Sequence, residues 1–276
     1  MTLIILAAGL GTRFGGPKQF FPLGPNKESL FHYSLYNALQ HGITQMILIT
    51  RAEILDQANA SLQYLPIPTH IVLQETPNNK PRGTADALLT AMSASNDSQF
   101  VLINADDYYG PESFAAAKTL ANKHPQIAAI PYLLKNTLSP HGGVSRAICE
   151  NENDLITSII ETHNLQQAGN HATGTQNGIE IVTPLNTPVS MNIFLFDKSI
   201  ESKLRTYVES KIAANSTAEI TLPDFINEKI QNDNLQVPFA NSESEWFGMT
   251  YAEDLNAVRE RLNDMHQSGQ FPKRLW

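Results

Sequence analysis

Where the first apolar run of the chain ends, the sequence reads LAAGLGTRFGGPKQF, residues 6–20, with four glycines, one arginine and one lysine. A loop of this kind keeps side chains out of the way and offers backbone N–H groups to an anion, above all to phosphate. Arg13 and Lys18 add two cations at the same place. A second stretch, VLINADDYYG at residues 101–110, ends another apolar run in two carboxylates, Asp106 and Asp107. Read alone, that pair is evenly balanced between a ligand for a hard divalent cation and a turn or helix cap ahead of Pro111.

Two common phosphate loops do not fit. The dinucleotide-binding fingerprint needs a third glycine at position 14, which is Phe14, and Arg51 stands near the place of its acidic ribose ligand. A P-loop has the spacing of Gly11 and Gly16 but needs lysine where Pro17 stands, and proline removes an amide from a cradle built of amides.

The elements around these stretches decide where they lie. Short aliphatic runs at residues 3–7, 45–50, 69–74, 100–105 and 127–132 read as buried strands. Between them, residues 29–40, 52–63, 84–92 and 111–124 read as helices, with Ser29 as a cap, Gly42 as a stop and Pro111 in a first turn. Alternating strands and helices predict a mostly parallel sheet covered on both faces. Right-handed crossovers bring the strand C-terminal ends to one edge, where such sheets bind ligands. The glycine loop and Asp106–Asp107 both fall on that edge.

Further on, GGVSRAICE, LITSIIET and GIEIVT are strand-like with no helix between them, an antiparallel insertion at about residues 135–188. VSMNIFLFD reads as one returning core strand, residues 197–232 as mostly helical, and about 251–266 as a last helix. The polar segment 164–177 reads as a mobile loop. No repeat, low-complexity tract or linker divides the chain, so residues 1–276 are expected to form one domain.

Composition narrows the partners. With 276 residues, 42% of them hydrophobic, the chain can bury a large core. A formal charge of −8 argues against a general nucleic-acid binder, though not against a small anion held by local cations. Cys149 is the only cysteine, which rules out an intrachain disulfide and suggests a cytoplasmic location. The N-terminal run lacks a basic leader, and no apolar run reaches membrane-spanning length, so no membrane association is expected.

LAAGLGTRFGGPKQF resembles the nucleotidyltransferase signature, roughly L-A-A-G-x-G-x-R followed closely by P-K. Over nearly its whole length the chain is similar to the nucleoside-diphosphate-sugar pyrophosphorylase branch of that family. The resemblance implies an α/β fold, Rossmann-like and GT-A-like, in three α/β/α layers. In it, Ala8, Gly9 and Gly11 lie along a nucleoside triphosphate, while Arg13 and Lys18 are catalytic cations for the charge on the transferring group and departing pyrophosphate. QETPNNKPRGTADAL looks like the base-binding region, which implies roles for Gln74, Gly83 and Thr84. VLINADDYYG looks like the strand end that makes Asp106 the Mg²⁺ ligand, with Asp107 beside it. HGGVSRAI and ITSIIETH resemble the segment that closes over the sugar, so that Gly143 passes near the ring and Glu161 accepts from its hydroxyls. VSMNIFLFD would place Asn192 near the sugar, and EWFGMTYAEDL resembles the closing motif before the last helix.

The chain departs from this pattern in two places. Many relatives have Glu-Lys where this chain has Glu161-Thr162, and that lysine helps to hold the sugar phosphate. Arg146 or His163 could replace it. Arg146 is preferred because it is always charged and can grip phosphate through two parallel hydrogen bonds. A metal-binding aspartate usually stands about where Gly248 falls, so Asp107 or Glu245 would have to substitute. The implied activity is Mg²⁺-dependent transfer from a nucleoside triphosphate, UTP ahead of dTTP or CTP, to a sugar 1-phosphate, by a protein that could be oligomeric. Two alternatives stay open: a methylerythritol-phosphate-type cytidylyltransferase, whose branch PKQF resembles, and a non-catalytic module that binds a nucleotide or sugar nucleotide.

Overall fold

The computed structural model describes every residue except 12, 13, 15, 215–217 and 250. In chain order the elements are β1 (Thr2–Leu6), α1 (Leu30–Leu39), β2 (Gln45–Thr50), α2 (Leu55–Ser61), β3 (Thr69–Leu73), α3 (Thr84–Ser93), β4 (Gln99–Asn104), β5 (Asp107–Tyr109), α4 (Pro111–Ala121), β6 (Ile127–Ala129) and β7 (Tyr132–Leu133). There follow β8 (Val144–Glu152), β9 (Leu155–Ala168), β10 (His171–Gln176), β11 (Ile179–Pro184), β12 (Pro188–Ser190), β13 (Phe194–Asp197), α5 (Glu201–Ala213), α6 (Leu222–Asp233), β14 (Trp246–Gly248) and α7 (Asp254–Gln267).

The central sheet runs β3-β2-β1-β4-β13-β6. Its first four strands are parallel, and β13 lies antiparallel between β4 and β6. Alternation along the strands explains the three layers. Leu3 and Ile5 of β1 pack in one cluster with Phe31 and Leu35 of α1 and Phe114 of α4. Ile4, between them, joins the opposite cluster with Leu88 of α3 and Phe225 of α6. Burying one such aliphatic side chain contributes about 1.5–3 kcal/mol, so a strand apolar at every position holds helices on both faces. This is the α/β/α architecture that the sequence implied.

The second sheet is antiparallel, in the order β11-β10-β9-β8-β12-β7. Three expectations change here. VSMNIFLFD is not one strand: β12 belongs to the second sheet and β13 to the central one, with Asn192 between them at φ +60°. IAAIPY divides the same way into β6 and β7. The two segments cross together, pairing as β13–β6 in one sheet and β12–β7 in the other. The segment 164–177 is not a loop but the end of β9 and all of β10. Its polarity reflects an exposed hairpin face rather than missing structure. The β8–β9 and β10–β11 turns, Asn153-Asp154 and Asn177-Gly178, carry paired positive φ angles, as tight hairpins require.

A two-stranded ladder, β14 on β5, brings the segment before α7 back to the strand end that carries the acidic pair.

Candidate active site

β1 delivers the glycine loop to the C-terminal edge of the central sheet, where Ala7 N donates to Ile49 O at 2.7 Å. Gly11 then turns the chain at φ +65°, and Phe14 N and Gly16 N both donate back to Gly11 O, at 3.0 and 3.2 Å. A side chain at position 11 would run into the Gly16 carbonyl, so the fold-back requires glycine there. Gln19 Nε2 braces the loop by donating to Gly9 O at 2.7 Å.

Two cavities open beneath this loop, and Gly11 lines both. The first, of about 320 Å³, gathers Lys18, Asp106, Asp107, Arg146, Glu161 and Asn192. The second, of about 480 Å³, is lined by Ala8, Gly9, Gln74, Gly83 and Thr84. Most of the residues singled out in the sequence therefore meet in adjoining spaces. Arg13 lies outside the described residues. Gly143 lines neither cavity; a Cβ there would meet Asn164, whose Cα lies 3.0 Å away, so the strand next door accounts for this glycine.

In the first cavity Lys18 Nζ stands 2.6 Å from Asp106 Oδ2 and also donates to Met249 O. Asp107 points into the fold beside it. Its Oδ2 accepts from Asn104 Nδ2 at 2.9 Å and from the Tyr109 hydroxyl at 3.2 Å. Burial and the neighbouring Asp106 charge push the Asp107 carboxyl up to about 7. The β14–β5 register sets Gly248 opposite Asp107, and a Cβ at position 248 would collide with the Asp107 carboxylate. Asp107 thus fills the space that a side chain at 248 would take. Glu245, the other candidate, is exposed, pairs with Arg261 and does not line the cavity.

On the far wall, burial raises the Glu161 carboxyl, while His163 and Arg146 pull it back down. Thr162 is fully buried on the other side of β9, where it accepts from Gln176 Nε2 at 3.1 Å. Arg146 lines the cavity, but its Nη1 and Nη2 donate to Ser145 O at 2.8 Å and Thr137 O at 2.6 Å. Its guanidinium stacks 5.0 Å from the centroid of the Trp246 ring. In this structure those two nitrogens therefore hold carbonyls rather than present a parallel pair to a phosphate.

In the second cavity Gly83 and Thr84 also have structural partners. Gly83 has φ +128°, and a Cβ there would lie 2.5 Å from Ile220 O and 2.7 Å from Ile220 N. Close packing of two backbones demands this glycine. The Thr84 hydroxyl accepts from Leu222 N at 2.9 Å, which satisfies an amide in the first turn of α6. Gln74 Nε2 donates to Gly83 O at 2.8 Å and to Asp86 Oδ2 at 2.9 Å, so the fold fixes its amide. Lys80 and Glu219, which the sequence did not single out, line this cavity and pair with each other at 3.2 Å. Trp246, Asn104 and Ser190 were likewise missed in the first cavity. Only the β14–β5 pairing and the β12–β13 crossing, both long-range, bring Trp246 and Ser190 there.

Comparison with known proteins shows the family and the fold. The family model described as nucleotidyl transferase matches residues 2–263. The chain belongs to the nucleotidyl transferase family. No curated protein matches it. Among solved structures it is similar to the inositol-1-phosphate CTP transferase of T. maritima, with 16% identity, 96% of each chain covered and a TM-score of 0.72. It is also similar to a Bacillus anthracis protein assigned as a glucose-1-phosphate thymidylyltransferase and solved with sucrose: 17% identity, 96% of each chain and a TM-score of 0.69. At these identities the likeness concerns the fold. Among the described residues, no helix of this nucleotidyl transferase is long and apolar enough to cross a membrane.

Proposed function

We propose that this nucleotidyl transferase joins the nucleoside monophosphate of a pyrimidine nucleoside triphosphate to a sugar 1-phosphate and releases pyrophosphate. The observation that carries the reading is the Lys18–Asp106 pair, with Asp107 beside it, in a cavity that meets the glycine-loop cavity at Gly11. A nucleoside held in the second cavity would lead its phosphates past Gly11 toward Asp106. The acceptor would then occupy the first cavity, against Glu161 and Asn192.

The residues fit a magnesium ion. Asp106 and Asp107 both line the first cavity, and glycine at 248 leaves room for the second of them. A hard cation that keeps phosphate oxygens among its ligands needs only one or two carboxylates. When bound, Mg²⁺ would neutralise phosphate charge and hold the reacting group in line. An oxygen of the acceptor phosphate attacks the α-phosphorus. The new P–O bond forms as the bond to pyrophosphate breaks, and no covalent enzyme intermediate is needed. Lys18 stands to donate to phosphate oxygens as charge develops, and Arg13 is assigned to the leaving pyrophosphate. Arg146 supplies positive charge to the acceptor side.

UTP remains the first choice of nucleotide. CTP and dTTP are the comparators, because the two similar structures are named for CTP and thymidylyl transfer. The test is a pyrophosphate-release screen of these nucleotides against glucose 1-phosphate, inositol 1-phosphate and methylerythritol phosphate. Release only with a sugar or cyclitol phosphate supports the reading. Release only with methylerythritol phosphate and CTP moves the protein to the other branch, and release in no well leaves a binding module.

A further inference from the structure

Three polar side chains form a line of hydrogen bonds across the first cavity. Asn192 Nδ2 donates to Asn104 Oδ1 at 3.4 Å, and Asn104 Nδ2 donates to Asp107 Oδ2 at 2.9 Å. All three residues line the cavity. They come from three places: the crossing between β12 and β13, the end of β4 and the start of β5.

The line has one polarity. An ionised carboxylate only accepts, so Asn104 turns its amide nitrogen to Asp107. Its oxygen is then left for Asn192, which meets it with nitrogen. That leaves Asn192 Oδ1, which has no hydrogen-bond partner among the described residues, as an acceptor for a ligand hydroxyl. Asn192 stands at φ +60°, where glycine is at ease and other residues are uncommon. An asparagine there carries a backbone cost, and the amide it brings is the one that meets Asn104. The Tyr109 hydroxyl contacts both Asp107 Oδ2 and Met191 O, which pins the crossing to β5 and fixes the span that the line bridges.

We propose that Asn104 is a positioning residue that couples acceptor binding to metal binding: an acceptor hydroxyl held at Asn192 Oδ1 orders the line and sets the Asp107 carboxylate for the cation. The inference rests on the reading of Asp107 as a metal carboxylate and of the first cavity as the acceptor's. The link at 3.4 Å is long and the link at 2.9 Å is firm, so a ligand at Asn192 tightens the weaker one, and Asp107 responds through Asn104. Linkage requires the converse by the same factor, with the acceptor binding more tightly once the metal is held. An acceptor recognised in this way carries hydroxyls on a ring beside its phosphate, as sugar and cyclitol phosphates do.

Isothermal titration of the full chain with Mg²⁺, alone and with saturating glucose 1-phosphate, inositol 1-phosphate or inorganic phosphate, tests this without nucleotide or turnover. In the wild type, one of the two organic phosphates should tighten Mg²⁺ binding by about fivefold or more. It should do so more than inorganic phosphate does, which separates the relay from direct contact between phosphate and metal. Asn104→Leu should lower that factor by at least about threefold. Asn192→Gly, which suits the backbone and removes only the amide, should lower it as much, and the double variant should lower it no further. A factor unchanged in either variant, losses that add in the double variant, or organic phosphates no better than inorganic phosphate would overturn the relay. No transfer is measured, so a protein that releases no pyrophosphate can still show the coupling, and one that transfers without it refutes the relay alone.

Discussion

Gly248 and Asp107 face each other across the β14–β5 ladder so closely that any side chain at 248 must displace the Asp107 carboxylate. The contact is tight on other sides too, with Trp246 Cζ2 at 3.0 Å and Asp106 O at 3.1 Å from where a Cβ would sit. Gly248→Ala should therefore destabilise the fold by about 1–3 kcal/mol, as overpacking does, and weaken Mg²⁺ binding as well. Thermal unfolding and metal titration by calorimetry check the two effects. An alanine variant with normal unfolding and normal metal affinity would show that the site is looser than it looks.

Asp106→Asn should lower kcat by at least about a hundredfold, because the amide keeps the shape and loses the charge that both Lys18 and a metal require. Asp107→Asn should cost less, since Asn104 and Tyr109 already hold that side chain. Single-turnover rates with folded protein, verified by circular dichroism, give the comparison. Equal and mild losses would mean that the acidic pair is a structural turn.

Thr84→Val removes the acceptor for Leu222 N and should cost about 1 kcal/mol of stability, while the KM for nucleotide stays unchanged. Gly83→Ala should be worse, on the order of 3 kcal/mol, because a positive φ and the Ile220 backbone both oppose it. Denaturant melts and nucleotide kinetics on both variants measure this. A large rise in nucleotide KM in Thr84→Val would show that Thr84 also contacts the nucleotide.

The strand that ends in the glycine loop and the strand that ends in the acidic pair were both legible in the sequence. Each is a short aliphatic run closed by residues that cannot continue it, and alternation with helices orders them in a sheet. The sheet change at Asn192 was not legible, because VSMNIFLFD is apolar on both sides of the crossing and only partner strands distinguish its halves. Gly83, Thr84 and Gly143 were given substrate roles by the family resemblance, which says nothing of their partners in the fold. Their constraints come from Ile220, Leu222 and Asn164, which local sequence does not reveal. Arg146 lies in the expected antiparallel segment and lines the first cavity, but the carbonyls that engage it, Thr137 O before β8 and Ser145 O within it, were not legible in the sequence.

Glu161 gives a pH test. Burial raises its folded-state carboxyl above the ordinary range, so the folded protein holds that proton more tightly than the unfolded chain does. The cost of ionising it is absent below its unfolded pKa and complete above its raised folded pKa. Glu161→Gln should therefore gain stability relative to wild type as pH rises through that window, with no such pH-dependent gain below it. Urea melts from pH 4 to pH 8 measure the difference, and a relative stability that falls with pH would contradict the burial argument.

Buried Cys149 has its thiol pushed up to about 12, so the native protein should resist alkylation at pH 8, while the denatured chain takes one equivalent of reagent. Mass spectrometry after brief iodoacetamide treatment reads this directly, and rapid modification of the native protein would place Cys149 at the surface.

The most direct test of the central claim is product analysis with α-³²P-labelled UTP, CTP or dTTP and a sugar 1-phosphate. The account predicts that label and sugar appear in one molecule, formed in equal amount with pyrophosphate, and that Asp106→Asn and Lys18→Ala abolish both. Label recovered as free nucleoside monophosphate, or a labelled product formed just as fast without any sugar phosphate, would contradict it.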